Sequence, residues 1–196
     1  MPPVDLVIHK GLPPEFADQA GSILQEAFSK KLAVIISRPE KAAAVVAKSL
    51  DPEMCFCAIS KDQLLGIAGM QFEGKRFLNA RWKPCRSILG FFPGLYAFLL
   101  LHLFYGNQRP SEIYIDVVAV KPEWRGNGIG AQMLEAIAAY GRGSGMDALS
   151  LDVVDTNVAA YRLYERLGYV PVKEIHYHIP ERLAGFTGST IMRKPL

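Results

Sequence analysis

Residues 112–134 read EIYIDVVAVKPEWRGNGIGAQML. The first nine are β-branched and almost wholly apolar, as in a strand covered on both faces. The next four, KPEW, suit a short turn. Gly126, Gly128 and Gly130 then lead into Ile129, Met133, Leu134, Ile137 and Tyr140 at helical spacing. A strand, a glycine loop and a helix in that order predict an anion site. The first turn of a helix has unpaired N–H groups and the positive end of the helix dipole. Glycines let a bulky phosphate reach those groups without meeting a Cβ, and Arg125 adds a charged planar fork beside them. A P-loop needs Lys-Ser/Thr after its last glycine, where this chain has Ala131-Gln132. A dinucleotide fingerprint needs G-x-G-x-x-G, which this spacing does not give. Taken alone, the loop also suits a glycine turn that binds nothing.

Around this unit, strands and helices alternate. Residues 4–9, 54–60, 64–72, 148–154, 169–178 and 188–194 read as strands. Residues 15–30 put Phe16, Ala20, Ile23, Leu24, Ala27 and Phe28 on one helical face. Pro39 opens a second helix in PEKAAAVVAKSL. Ala160, Leu163, Tyr164 and Leu167 recur at i, i+3, i+4 and i+7. No repeat or linker intervenes, which predicts an α/β fold with a mixed central sheet flanked by helices, in one domain over 1–196.

Half of the 196 residues are hydrophobic, so a core is readily supplied. A formal charge of +3 without a dense basic run predicts no nucleic-acid partner. Cys55, Cys57 and Cys85 are odd in number and lack metal-type spacing, which predicts reduced thiols in a reducing, cytoplasmic compartment. The opening MPPVDLVIHKGLPPEF has no apolar core of export-signal length.

Residues 87–105, SILGFFPGLYAFLLLHLFY, carry no formal charge over about the length that spans a bilayer. Pro93-Gly94 breaks the run, and a crossing would separate strands that need each other to bury their faces. A core or pocket-wall helix is expected, with a peripheral membrane contact or homodimer face as other readings. His102 and Tyr105, one turn apart, suit either a pocket or a hydrogen-bonded core pair. His176 and His178 share a strand face without a third ligand, so no metal is expected.

A second motif, NVAAYRLYERLGY at 157–169, completes a pattern. Together with RGNGIG it resembles the GNAT superfamily of N-acetyltransferases. Arg125, Gly128 and Gly130 match its signature Q/R-x-x-G-x-G/A. Val120, Pro122, Arg125 and Gly126 match its strand-end V-x-P-x-x-R-G. Asn157 and Tyr164 match its later asparagine and helix tyrosine, and the closing TIMRKPL resembles its last strand. The likeness is close over 112–196 and holds in element order over the first 80 residues. Residues 81–110 depart from the compact family core as an apolar helical insert.

The resemblance implies acetyl-CoA as co-substrate. Its pyrophosphate would lie on the amides of Arg125, Gly126, Asn127, Gly128, Ile129, Gly130 and Ala131. The side chain of Asn127 would point to water. The pantetheine arm would pair with Val118, Ala119 and Val120, with strand 148–154 splayed away. A backbone N–H near Val118 would polarise the acetyl carbonyl. Asn157 would hold pantetheine amides or cap its helix. Asp116 interrupts the apolar strand, and by alternation it shares a face with Val118 and Val120. It suits a base for an amine whose pKa is about 10, directly or through water, and equally an acid paired with an arginine or hydroxyl. Tyr164 suits the acid that protonates the departing thiolate, and also a packed helix-face tyrosine. The expected function is direct acetyl transfer from acetyl-CoA to a primary amine, small-molecule or peptide. The alternatives are a non-catalytic acyl-CoA-binding regulatory domain, or a transferase of longer acyl chains with 87–105 as the wall.

Overall fold

The computed structural model describes residues 5–103, 109–177 and 185–196. In chain order it contains β1 (Val7–Lys10), α1 (Ala17–Ala27), α2 (Ser29–Ile35), α3 (Pro39–Ala47), β2 (Cys55–Ser60), β3 (Gln63–Phe72) and β4 (Lys75–Arg76). Then come α4 (Trp82–Leu89), α5 (Phe91–Leu103), β5 (Glu112–Val120), α6 (Ile129–Gly143), β6 (Ala148–Val154), α7 (Val158–Arg166), β7 (Val170–His176) and β8 (Gly188–Pro195). The sheet order is β1-β2-β3-β5-β6-β8-β7, with β4 folded back on β3. Every pairing is antiparallel except β5 with β6. The fold is therefore α/β, a mixed, mostly antiparallel sheet flanked by helices.

One face of the sheet is covered by α6, which buries Ile129, Met133, Leu134 and Ile137 at helical spacing. There Tyr140 meets Phe56 and Phe72 edge to face at 6.0 and 5.5 Å. The other face is covered by α1 to α3, with Ile23, Leu24, Val45 and Val46 buried. Phe77, fully buried, lies flat over Gly69 on that face; a Cβ at Gly69 would occupy its ring. Burying side chains of this size contributes about 1.5–3 kcal/mol each.

Strict alternation fails in β5. Opposite β5, Ala68, Gly69 and Met70 of β3 pair with Val118, Val117 and Ile115, so Asp116 is an extra residue. Such a bulge puts two neighbours on one face. Asp116 and Val117 accordingly line the α1–α3 side together, whereas Val118 and Val120 line the α6 side. The expectation that Asp116 shares a face with Val118 and Val120 is thereby corrected.

Two helical expectations also change. Residues 15–30 form two helices that meet at Phe28 rather than one, and Ala27 is exposed. The apolar stretch breaks at Gly90 (φ 90°), a left-handed conformation that suits glycine, and not at Pro93-Gly94. Pro93 sits in the first turn of α5, where a missing N–H costs nothing. Among the described residues, no helix is long and apolar enough to cross a membrane. Ala97 and Leu101 of α5 are buried as a core helix requires, but Phe92 is 80% and Leu99 56% exposed.

Candidate active site

β5 and β6 pair only from Glu112↔Ala148 to Ile115↔Leu151. The Arg193 guanidinium binds buried Glu112 at 2.8 Å and ties down the closed end. From Asp116 onward the two strands are unpaired, and a hollow opens on each face of β5.

On the α6 face lies a cleft of about 570 Å³, walled by Val118, Val120, the glycine loop and α7. Gly126 and Gly128 have φ of 76° and 78°, and a Cβ on either would meet nothing within 4 Å. The loop thus presents bare backbone to open space at the start of α6, where the first N–H groups lack helical partners. A Cβ on Gly130 would lie 3.5 Å from Val118 Cγ1, and Ala131 completes the rim. Ile129 and Ala119 are buried, so they offer the cleft their backbone alone. These features fit a pyrophosphate cradle.

The side chains of the loop have their own tasks. Arg125 Nε donates to the Val120 carbonyl at 3.0 Å and clamps the loop to the strand end. Asn127 Nδ2 donates to the carbonyls of Trp124 and Arg125, 3.2 Å each. The expectation that Asn127 points to water is corrected: carbonyls in so tight a turn need donors, and Asn127 supplies one. Asn157 caps α7, its Oδ1 accepting the Ala160 N–H at 3.2 Å.

Tyr164 lines the cleft from α7, its ring centroid 5.7 Å from that of Tyr169. Burial pushes its phenol up to about 12, so at neutral pH it keeps its proton as a donor should.

On the opposite face lies a cavity of about 180 Å³. Leu24, Phe28, Leu32, Phe77, Leu101 and Val117 supply apolar wall, and Asp116 is its one ionisable group among the described residues. Asp116 Oδ1 accepts a hydrogen bond from Gln71 Nε2. Burial pushes its carboxyl up to about 6, against the opposing pull of the Gln71 bond and the Arg76 charge. Tyr114 stands beside it, its phenol raised by burial and then by Asp152 and Asp116.

The structure thus places Tyr164 with the glycine loop, and Asp116 in a separate hollow across β5. Sequence reasoning missed Gln71 and most of the cavity wall, although the pocket-wall expectation for 87–105 fits Leu101, which lines the cavity. Gln71 left a faint signal as the lone amide in GIAGMQF. The other wall residues left none, because they come from α1, α2, α3, β5 and the segment after β4, far apart in the chain.

Other candidates recede. Cys55 and Cys57 are fully buried with sulfurs 3.9 Å apart. Their hydrogen bond and their burial hold the Cys55 thiol far above the usual range. His102 is exposed and bonds the Phe98 carbonyl of its own helix at 2.7 Å. His176 is exposed on β7, while Tyr105 and His178 lie outside the described residues. Among the described residues, no group of three or more His, Cys, Asp or Glu is placed to hold a metal ion.

Comparison with known proteins agrees with this geometry. Residues 21–169 match the model of a family described as "Acetyltransferase (GNAT) family". An uncharacterized N-acetyltransferase of Bacillus subtilis (strain 168), YobR, is 28% identical over 119 residues, 60% of this chain and 46% of that protein. A thialysine N-epsilon-acetyltransferase of Bos taurus is 36% identical over 85 residues, 43% of this chain and 45% of that protein. The chain therefore spans about half the length of these curated relatives. A solved structure described as "The crystal structure of acetyltransferase" superposes with a TM-score of 0.63 at 20% identity, covering 96% of this chain and 98% of that one, a likeness of fold.

Proposed function

As the chain belongs to the GNAT acetyltransferase family, we propose that it transfers the acetyl group of acetyl-CoA directly to the nitrogen of a primary amine, in the cytoplasm. The observation that carries this reading is the parting of β5 from β6 at Asp116, with a glycine-loop cleft on one side and a carboxylate-bearing cavity on the other. Bound in the cleft, acetyl-CoA supplies an activated thioester. The amides of residues 125–131 hold its pyrophosphate, and the free edge at Val118, Ala119 and Val120 takes the pantetheine arm. A backbone N–H near Val118 polarises the acetyl carbonyl.

The amine approaches from the cavity side. An ammonium cannot attack, so Asp116 takes its proton, directly or through water. A carboxyl held near 6 is mostly ionised at neutral pH yet is a stronger base than an ordinary aspartate. The C–N bond forms, the C–S bond breaks, the Tyr164 hydroxyl gives its proton to the departing sulfur, and the second proton shed by the acylated nitrogen returns through water to the phenolate. Three free, buried thiols suit a reducing compartment.

The test is CoA release from acetyl-CoA across a panel of amines as a function of pH. An acid limb near pH 6 is expected, and Asp116→Asn should remove it while lowering kcat/KM by about 10²-fold or more. Acetyl-CoA affinity should hold, since the residue faces the other hollow. Thermal unfolding supplies a control. Because burial raises this carboxyl, the wild type loses stability as pH climbs from about 4 to about 6, and Asp116→Asn should be spared that loss. An unchanged pH–rate profile would assign Asp116 a structural role. Acetyl-CoA binding without turnover on any amine would favour the regulatory reading instead.

A further inference from the structure

Resting on the acetyl-transfer reading, the cavity specifies what kind of amine fits. We propose that the acceptor is a primary amine bearing one compact apolar group, an aromatic ring or a branched alkyl chain, which fills the cavity while its nitrogen sits on Asp116. The cavity of about 180 Å³ is slightly larger than the ~150 Å³ cavity that binds benzene in a protein interior. Its walls offer Phe28, Leu32, Phe77, Leu101 and Val117, so the tail gains by leaving water. The carboxylate sits in the wall, where one ammonium can pair with it. Gln71 adjoins it with its Oε1 unpartnered among the described residues, a second acceptor for the same nitrogen. A polyamine or a lysine within a peptide would bring a further charge or backbone amides against apolar wall with no partner there.

The experiment measures acetyl transfer to 2-phenylethylamine, isoamylamine, spermidine and a lysine-containing peptide. The two apolar amines should lead in kcat/KM by roughly 10–100-fold, the worth of burying one such group. Leu101→Phe fills the cavity and should raise KM more for 2-phenylethylamine than for n-propylamine. If that variant fails to fold, the preference of the unaltered protein decides. A lead for spermidine or the peptide would overturn the apolar class and leave acetyl transfer standing. No transfer to any amine, with acetyl-CoA bound, would overturn both.

Phe91, Phe92, Leu95, Tyr96 and Leu99 form one exposed stripe along α5. Trp82 of α4 meets Phe91 and Phe98, and Arg81, just before that helix, and Lys83 and Arg86 within it are exposed. No Asp or Glu occurs between Glu73 and Glu112. We infer that this face rests on an anionic lipid surface, with the aromatic stripe in the interface and the cations on headgroups. A second copy fits less well, because a two-fold contact buries the same patch of both copies, and the segment between Glu73 and Glu112 has no acid to pair with these cations.

Flotation with vesicles decides between them. The whole protein should bind vesicles containing anionic lipid, not purely zwitterionic ones, and should dissociate at high salt. Phe92→Ser with Leu99→Ser, both at exposed positions, should abolish binding and leave acetyl transfer to a soluble amine in place. Failure to bind anionic vesicles would overturn the proposal. So would a dimer in sedimentation that the same pair of substitutions dissolves.

Discussion

Tyr164→Phe should fold, bind acetyl-CoA as tightly as the parent, and turn over about 10²–10⁴-fold more slowly, the range of general acid catalysis. The ring is what α7 packs: it stands against Tyr169 and beside Leu163 and Leu167 in the cleft wall. The hydroxyl is what the proposed transfer would use. With its proton held up to about 12, this phenol stays neutral throughout the working range. The departing thiolate, with a solution pKa of ~8.5, is a poor leaving group that benefits from a proton. A donor with a more acidic thiol should therefore shrink the deficit of Tyr164→Phe. Single-turnover kinetics would check this with chemistry isolated. A variant that matches the parent there, with acetyl-CoA, would leave the tyrosine a packing role only.

Gly128→Val should lose acetyl-CoA affinity by about 100-fold or more, the worth of one or two charge-assisted hydrogen bonds. Two effects combine. Valine strongly disfavours a φ of 78°, and its side chain would enter the open space over the loop. Gly145 separates these effects. It has a φ of 70° and open space around its own Cβ position, yet it lies in the turn after α6, outside the cleft. Gly145→Val should thus lower the melting temperature while leaving the calorimetric affinity near that of the parent. Equal binding by both variants would move the phosphate away from the loop. Asn127 is no neutral comparator, since its side chain holds the loop carbonyls.

The sequence by itself determined most of the element order, the α/β class and the glycine-loop unit, because those depend on local patterns; the split of 15–30 into two helices and the short β4 escaped it. Apolar residues two or about four apart declare strand or helix wherever they sit. Left-handed backbone at a helix start all but requires glycine, which is why RGNGIG could be read without coordinates. Asn157 could be read for the same reason, as a cap is satisfied by an N–H three residues on. The sequence could not decide the face of Asp116. Alternation assigns it to Val118 and Val120, and only the pairing with β3 reveals the extra residue that turns it to the other side. A bulge is a relation between two strands, and one strand's sequence does not record it. Residues 87–105 show the same limit: hydropathy finds an apolar run, but which side of α5 is buried depends on what packs there. Leu101 reaches the cavity and Phe92 does not. The cavity itself is assembled from α1, α2, α3, α5, β5 and the segment after β4, which meet only because the sheet buries one face against them.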